Sequence, residues 1–143
     1  MRYAQIRSMD ISNGEGVGVS LFVQGCDRHC FNCFNSETWD FNGGKEWTEE
    51  AKNKFMELID RPYIRRISVL GGEPLAEQNL DEVLSLIKEI RNSFPNKTIW
   101  LYTGYKFEQI KDAFIESKKW LQASWKHSAI IRWEIISNVD VLV

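Results

Sequence analysis

The sequence predicts an α/β fold in which a mainly parallel sheet forms part of a β/α barrel. Apolar, β-branched segments alternate along the chain with amphipathic segments of helical period, and this alternation is typical of parallel strands joined by crossover helices. The 143 residues are too few for a complete eight-fold barrel, which needs about 200 or more. We therefore expect one domain, residues 1–143, that holds an incomplete barrel.

Four segments are predicted to be strands. They are Val17–Val23, Ile64–Leu70, Thr98–Thr103 and Val139–Val143. The first strand leads directly into Cys26, and the second ends at Gly71-Gly72. Because the carboxyl ends of parallel strands meet at one edge of the sheet, where ligands bind, we expect these two segments to lie together there.

Two helices are predicted between these strands. Thr48, followed by two glutamates, is a typical helix start, and Pro62 ends that helix. Asn79, with Glu82 three residues later, resembles a capping box. It opens a second amphipathic helix, which Phe94-Pro95 closes.

The region from Phe107 to Asn138 is harder to interpret. A third helix is expected from Phe107 onward. The apolar positions fit either one long helix or two helices with a break near Ser117. The two interpretations stay open at this point.

Composition and charge exclude several functional classes. The chain is 43% hydrophobic and 27% charged, which is typical of a globular domain. A net charge of −2 gives no electrostatic reason to expect a nucleic-acid partner. No apolar run approaches the roughly 20 residues that span a bilayer, and the N-terminus does not resemble a signal peptide. We expect a cytoplasmic protein without membrane contact.

The three cysteines lie within eight positions, at Cys26, Cys30 and Cys33. Clustered thiols in a reducing compartment are expected to bind zinc or an iron–sulfur cluster. A zinc site would need a fourth ligand such as His29, which directly precedes Cys30 and tends to point elsewhere, and no second cysteine pair exists. A [4Fe-4S] cluster on three cysteines would leave one iron without a protein ligand.

The pattern Cys26-x3-Cys30-x2-Cys33 resembles the signature of radical S-adenosylmethionine (SAM) enzymes. Within that superfamily, the chain resembles the activating proteins of anaerobic (class III) ribonucleoside-triphosphate reductases. The resemblance runs from about Met9 to Tyr105 through blocks of matching sequence, with a weaker echo at the C-terminus. These blocks are Ile11–Gly16, Leu21–Cys26, Phe34–Trp39, Gly71–Pro74 and Ile99–Tyr105.

The resemblance implies a radical SAM partial barrel and a set of cofactor ligands. Cys26, Cys30 and Cys33 would hold a [4Fe-4S] cluster, and SAM would chelate the open iron. The backbone at Gly71 and Gly72 would approach the methionine part of SAM, and Glu73 would accept a hydrogen bond from its ammonium. Asn32, Cys33 and Phe34 are expected beside the adenine, which either Asn32 backbone atoms or the Phe34 ring would contact. In the alternative interpretation, Phe31 and Phe34 only cover the cluster.

The resemblance also implies an oxidoreductase activity. Reductive cleavage of SAM would give a 5′-deoxyadenosyl radical, which takes a hydrogen atom from a glycine of the glycyl-radical subunit of the reductase. The electron would come from a one-electron donor such as a flavodoxin-like protein. No catalytic residue is expected beyond the cluster and SAM, and His29 and His127 are predicted to be surface or structural residues. The alternatives are an activase of another glycyl-radical enzyme, a small-molecule radical SAM enzyme, and a non-enzymatic zinc module.

Overall fold

The computed structural model describes all residues from Met1 to Val143 and contains six strands and four α-helices. The strands are β1 (Arg2–Asp10), β2 (Gly18–Val23), β3 (Lys45–Glu46), β4 (Arg66–Gly71), β5 (Thr98–Leu101) and β6 (Val141–Leu142). The helices are α1 (Glu49–Ile59), α2 (Leu80–Ser93), α3 (Phe107–Ser117) and α4 (Lys126–Ser137). No helix is long and apolar enough to cross a membrane.

All six strands form one sheet in the order β3-β1-β2-β4-β5-β6. Strands β2, β4, β5 and β6 are parallel, whereas β1 is antiparallel to both β2 and β3. The α/β class and the mainly parallel sheet predicted from the sequence are confirmed. Val23 pairs with Gly71, so that β2 and β4 end side by side.

The sequence prediction missed β1. This strand pairs on one side with β2 and on the other with only the two residues of β3, and most of its side chains are half-buried or exposed. Its mixture of Arg2, Gln5 and Arg7 with apolar residues therefore suits a partly solvated antiparallel strand. The prediction recognised only the apolar runs of the four parallel strands.

The helices pack against one face of the sheet. Alternate strand residues such as Val19, Leu21, Ile67, Val69 and Ile99 join the helices in one buried hydrophobic cluster because successive strand residues point to opposite faces. The opposite face carries Phe22, Leu70 and Tyr102, which line a cavity instead. This helix-free face is the surface on which a site can form.

The helix predictions were partly right. The Thr48 hydroxyl accepts a hydrogen bond from the backbone N–H of Ala51 at 3.1 Å, so the first cap is confirmed. The capping box at Asn79 is wrong, because the Asn79 amide donates instead to the carbonyls of Gln24 (3.3 Å) and Glu73 (3.0 Å). Of the two interpretations of the third region, the break near Ser117 is correct, since α3 ends there.

The segment between β1 and β2 closes the lower end of the helix-free face. Arg66, which is fully buried, donates a 2.7 Å hydrogen bond from its guanidinium to the carbonyl of Asp10. Gly14, at a φ of 124°, lies so close to the Arg66 side chain that a Cβ there would be 2.7 Å from its Cδ. Ser68 on β4 donates to the carbonyl of Asn13 at 2.7 Å. These contacts fix the segment against β4.

Asp10 carries an ionised carboxylate at this closed end. Burial by itself raises the pKa of its carboxyl group, but hydrogen bonds from Ser20, Asn13 and Ser12, together with the charge of Arg66, outweigh that effect. The pKa of Asp10 is therefore lowered below its ordinary value. The carboxylate is 3% exposed, so its hydrogen bonds are shielded from competing water.

Candidate active site

The segments that follow β2, β4 and β5 meet at a cavity of about 700 Å³. The sequence prediction that the first two of these segments share one edge is thereby confirmed. Seven of the eight residues predicted to form the site line this cavity, namely Cys26, Cys30, Cys33, Phe34, Gly71, Gly72 and Glu73. The eighth, Asn32, does not.

The cysteine loop, residues 26–33, is anchored at its start. The N–H of Gly25 donates to the carbonyl of Thr38 at 2.7 Å, and the N–H of Cys26 donates to the carbonyl of Trp39 at 3.1 Å. Gly25 has a φ of 98°, and a Cβ there would be 2.1 Å from the Phe41 ring. The chain can therefore turn from β2 into the loop only with glycine at this position.

Beyond Cys26 the loop coils through two left-handed residues. His29 and Asn32 have φ values of 45° and 56°, and the N–H of Cys33 donates to the carbonyl of Cys30 at 3.2 Å. Asparagine adopts the left-handed conformation more readily than most residues. The backbone thus gives a reason for Asn32 in the loop that is independent of any ligand.

The two phenylalanines of the loop extend into solvent. Phe31 is 94% exposed and Phe34 is 99% exposed. Only Phe34 borders the cavity. Neither ring packs against the rest of the protein.

The three thiols are free and differ in environment. Cys30 is exposed, whereas Cys26 and Cys33 are half-buried. The Sγ atoms of Cys26 and Cys33 accept hydrogen bonds at 3.4 Å from the backbone N–H groups of Arg28 and Asn35. Burial raises the pKa of the Cys26 thiol, although loop N–H groups oppose that rise.

This donor set fits an iron–sulfur cluster better than a single ion. No three His, Cys, Asp or Glu side chains converge closely enough to hold one metal ion, whereas zinc draws four ligands to about 2.3 Å or less. A cluster spreads its thiolate ligands over several irons, and N–H···S hydrogen bonds of the kind seen at Cys26 and Cys33 help to set its potential. Three thiols bordering a wide cavity fit a [4Fe-4S] cluster with one open iron.

The turn after β4 is tied to the cysteine loop. The N–H of Gly72 donates to the carbonyl of Val23 and that of Glu73 to the carbonyl of Gly25, both at 2.8 Å. A Cβ on Gly72 would lie 2.4 Å from the Gly25 carbonyl oxygen. Gly72 is therefore required by the approach of two protein segments, whether or not a ligand also lies there.

Glu73 joins the ends of β4 and β5 through its carboxylate. This side chain is 1% exposed and accepts hydrogen bonds from the N–H of Leu75 (2.9 Å), the hydroxyl of Thr103 (2.7 Å) and the N–H of Gly104 (2.8 Å). A carboxylate offers about four acceptor positions. Three are used within the protein, and one remains for an incoming donor.

The sequence analysis did not identify several residues that line the cavity. Thr103 and Gly104 lie at the carboxyl end of β5, as Gly71 and Gly72 lie at the carboxyl end of β4. The rule that ligands bind at the carboxyl ends of parallel strands could therefore have found this second pair as well. Arg28 and Trp39 also border the cavity. Arg28 lies within the cysteine pattern and Trp39 ends one of the matching blocks, but neither residue type by itself indicated a place at the cavity.

Both histidines lie at the surface, as predicted. The His29 ring stacks on Trp39 with 4.4 Å between ring centroids. His127 is exposed and lies 3.3 Å from the Asp81 carboxylate. Neither is placed to serve as a general acid or base in the cavity.

Comparison with known proteins identifies the chain's relatives. Residues 12–143 match a family described as a 4Fe-4S single cluster domain. The chain is also 40% identical over 115 residues to the anaerobic ribonucleoside-triphosphate reductase-activating protein of Salmonella typhimurium. The chain belongs to this 4Fe-4S family and is a homologue of these activating proteins.

Further relatives in this family carry the same name. The activating protein of Enterobacteria phage T4 is 40% identical over 111 residues, or 78% of this chain and 71% of the relative. That of Escherichia coli K12 is 38% identical over 115 residues, or 79% of this chain and 75% of the relative, the same coverage as for the Salmonella protein. The resemblance stated from the cysteine pattern and sequence blocks is confirmed. Membership of a 4Fe-4S family also removes the zinc module from consideration.

Proposed function

We propose that this chain is a glycyl-radical activating enzyme that acts on an anaerobic ribonucleoside-triphosphate reductase. The observation that carries the proposal is the set of three free thiols at the strand-end cavity, in a chain homologous to proteins named for activating that reductase. The same names give no support to a different glycyl-radical partner or a small-molecule substrate.

The proposed cofactors are a [4Fe-4S] cluster on Cys26, Cys30 and Cys33, and SAM at the open iron. With both bound, the cluster would supply one electron to split SAM into methionine and a 5′-deoxyadenosyl radical, and this radical would take a hydrogen atom from a glycine of the reductase. In this proposal the sheet is an incomplete barrel of the radical SAM type, with its helix-free face as the interior.

The residues of the chain bind and orient SAM. The free acceptor position of Glu73 receives the ammonium of the methionine part, while the backbone at Gly71 and Gly72, which borders the cavity, lies beside it. Asn32 and Phe34 flank Cys33 and are proposed to contact the adenine. Because Phe34 borders the cavity and Asn32 does not, the Phe34 ring is the better candidate for that contact.

The exposed part of the loop provides access for protein partners. Cys30 is exposed, so a one-electron donor such as a flavodoxin-like protein can approach a cluster bound there. Cys30 also borders the cavity, and the glycine-bearing segment of the reductase would enter beside it.

Anaerobic reconstitution tests the proposal. The purified protein should bind iron and sulfide, and its reduced cluster should change its EPR signal when SAM is added. Incubation with the reductase, SAM and a reductant should then produce a glycyl-radical doublet. A protein that cleaves SAM but never gives the doublet would exclude the reductase as substrate, and one that cannot cleave SAM would overturn the whole assignment.

A further inference from the structure

A second cavity, of about 200 Å³, lies behind the cysteine loop. It is bounded by α3 and α4, by Tyr105 after β5, and by Arg28 from the cysteine loop. Arg28 borders both this cavity and the larger one. An occupant of the second cavity would therefore touch the segment that links Cys26 to Cys30.

Two arginines approach the same aromatic ring at this cavity. The guanidinium carbon of Arg28 is 3.8 Å from the centroid of Tyr105, and that of Arg132 is 4.7 Å from it. Each contact is a cation–π interaction worth about 0.5–1 kcal/mol where solvent reaches it. The ring thus gathers two positive charges at one place, where they repel each other.

Neither of these arginines forms an ion pair with a carboxylate. The ion pairs of the protein all involve other groups. Arg132 donates one hydrogen bond within the protein, from Nε to the carbonyl of Leu75 at 2.9 Å, and the Arg28 side chain donates none. Most of the N–H groups of the two guanidinium forks are therefore available to an anion.

The lining and the volume of the cavity indicate which kind of anion fits. Its remaining lining includes Ile110, Ala113 and Ala129, which offer apolar contact to a short methylene stem. Guanidinium groups match the planar geometry of a carboxylate. The volume is below the roughly 300 Å³ at which sites for drug-sized ligands begin, so a single acidic side chain fits better than a nucleotide.

We propose that this cavity receives the carboxylate of an acidic side chain from the reductase polypeptide, and that this contact docks the reductase beside the cysteine loop. The inference rests on the proposed function, because it supplies a docking contact for the same partner. Its cavity lies outside the residues proposed to hold the cluster and SAM, so the two proposals can fail separately.

The first test is the variant Arg132→Gln. We expect the reductase concentration that gives half-maximal glycyl-radical formation to rise about tenfold or more, the loss typical of one charge-assisted contact. SAM cleavage in the absence of reductase should not change. Arg65→Gln is the matched control, since it removes the same charge from an exposed residue at the opposite end of β4.

A second variant covers the possibility that Arg132→Gln weakens the fold through its lost bond to Leu75. Ala113→Glu places a carboxylate inside the cavity, where it pairs with the arginines and competes with the partner. It should raise the half-saturating reductase concentration by a similar factor while leaving the melting temperature unchanged or higher.

The two variants together decide the matter. The docking contact is overturned if Arg132→Gln and Ala113→Glu have the same half-saturating reductase concentration as wild type and the control Arg65→Gln. Protection of the wild type against thermal unfolding by inorganic phosphate would in that case assign the cavity to a free anion. Loss of SAM cleavage in wild type would instead overturn the proposed function.

Discussion

Replacing Glu73 by Gln separates two roles that this residue can have. The resemblance to radical SAM enzymes implies contact with SAM, whereas the structure shows a buried carboxylate that joins the ends of β4 and β5. A pure ligand contact predicts that the metal-free protein is as stable as wild type. A joining role predicts a loss of stability without any cofactor.

The expected loss follows from the three hydrogen bonds. The amide oxygen of Gln can still accept from Leu75 and Thr103, but the amide nitrogen would face the N–H of Gly104, so that one bond is lost and two donors oppose each other. A hydrogen bond to a charged group contributes about 1.5–3 kcal/mol, and an unpaired buried donor costs about 1–3 kcal/mol. We expect a total loss of about 2–4 kcal/mol, a large part of the roughly 5–15 kcal/mol that stabilises most domains.

Urea unfolding of the metal-free protein, followed by tryptophan fluorescence, measures this loss. Glu77→Gln is the matched control, because Glu77 is exposed and accepts its one hydrogen bond from the Ser128 hydroxyl, a bond that an amide oxygen can retain. Thr103→Val completes a double-mutant cycle with Glu73→Gln and should show a coupling of about 1 kcal/mol. If Glu73→Gln and Glu77→Gln both stay within about 0.5 kcal/mol of wild type, the joining role is refuted.

Three further predictions concern the cysteine loop, the β4 turn and the closed end. Cys30→Ala should abolish 5′-deoxyadenosine production. Because Cys30 is exposed, the variant should leave the urea midpoint of the metal-free protein unchanged. Undiminished SAM cleavage would contradict the assignment of Cys30 as a cluster ligand. Gly72→Ala should lower the free energy of unfolding by about 1–3 kcal/mol, because its Cβ would meet the Gly25 carbonyl. An unchanged melting temperature would contradict this and show that the turn after β4 can move away from Gly25. The pKa of Asp10 is lowered in the folded state, so its carboxylate stabilises the fold above about pH 4 and loses that effect as the pH falls through the folded pKa. Asp10→Asn should therefore lower the stability of the protein at pH 7, and the stability of the variant should fall less than that of wild type as the pH is lowered. Equal urea midpoints for the variant and wild type at pH 7 would rule out this role of the carboxylate.

The parts of the fold that the sequence predicted follow from strong local patterns. The apolar runs that became β2 and β4 could be recognised, as could the Thr48 cap, because burial and capping leave direct marks on the sequence. The meeting of the cysteine loop with Gly71-Gly72 followed from topology alone, since parallel strands end at the same edge.

The parts that were missed depend on contacts between distant segments. Asn79 has the composition and spacing of a helix cap, yet its amide is drawn to the carbonyls of Gln24 and Glu73. The sequence analysis expected Glu73 to accept a hydrogen bond from SAM, and it did not foresee that Leu75, Thr103 and Gly104 donate to the same carboxylate. Local periodicity does not record such long-range competition for hydrogen bonds.

The segment between β1 and β2 also makes one side of the large cavity rigid. Arg66 and Ser68 are fully buried beneath it, and both donate hydrogen bonds to its backbone carbonyls, at Gly16 and Asn13. Because an unpaired buried donor costs about 1–3 kcal/mol, this segment cannot lift away from β4 without a large loss of stability. The cavity can therefore adapt to a ligand through the loops after the strands more readily than through this segment.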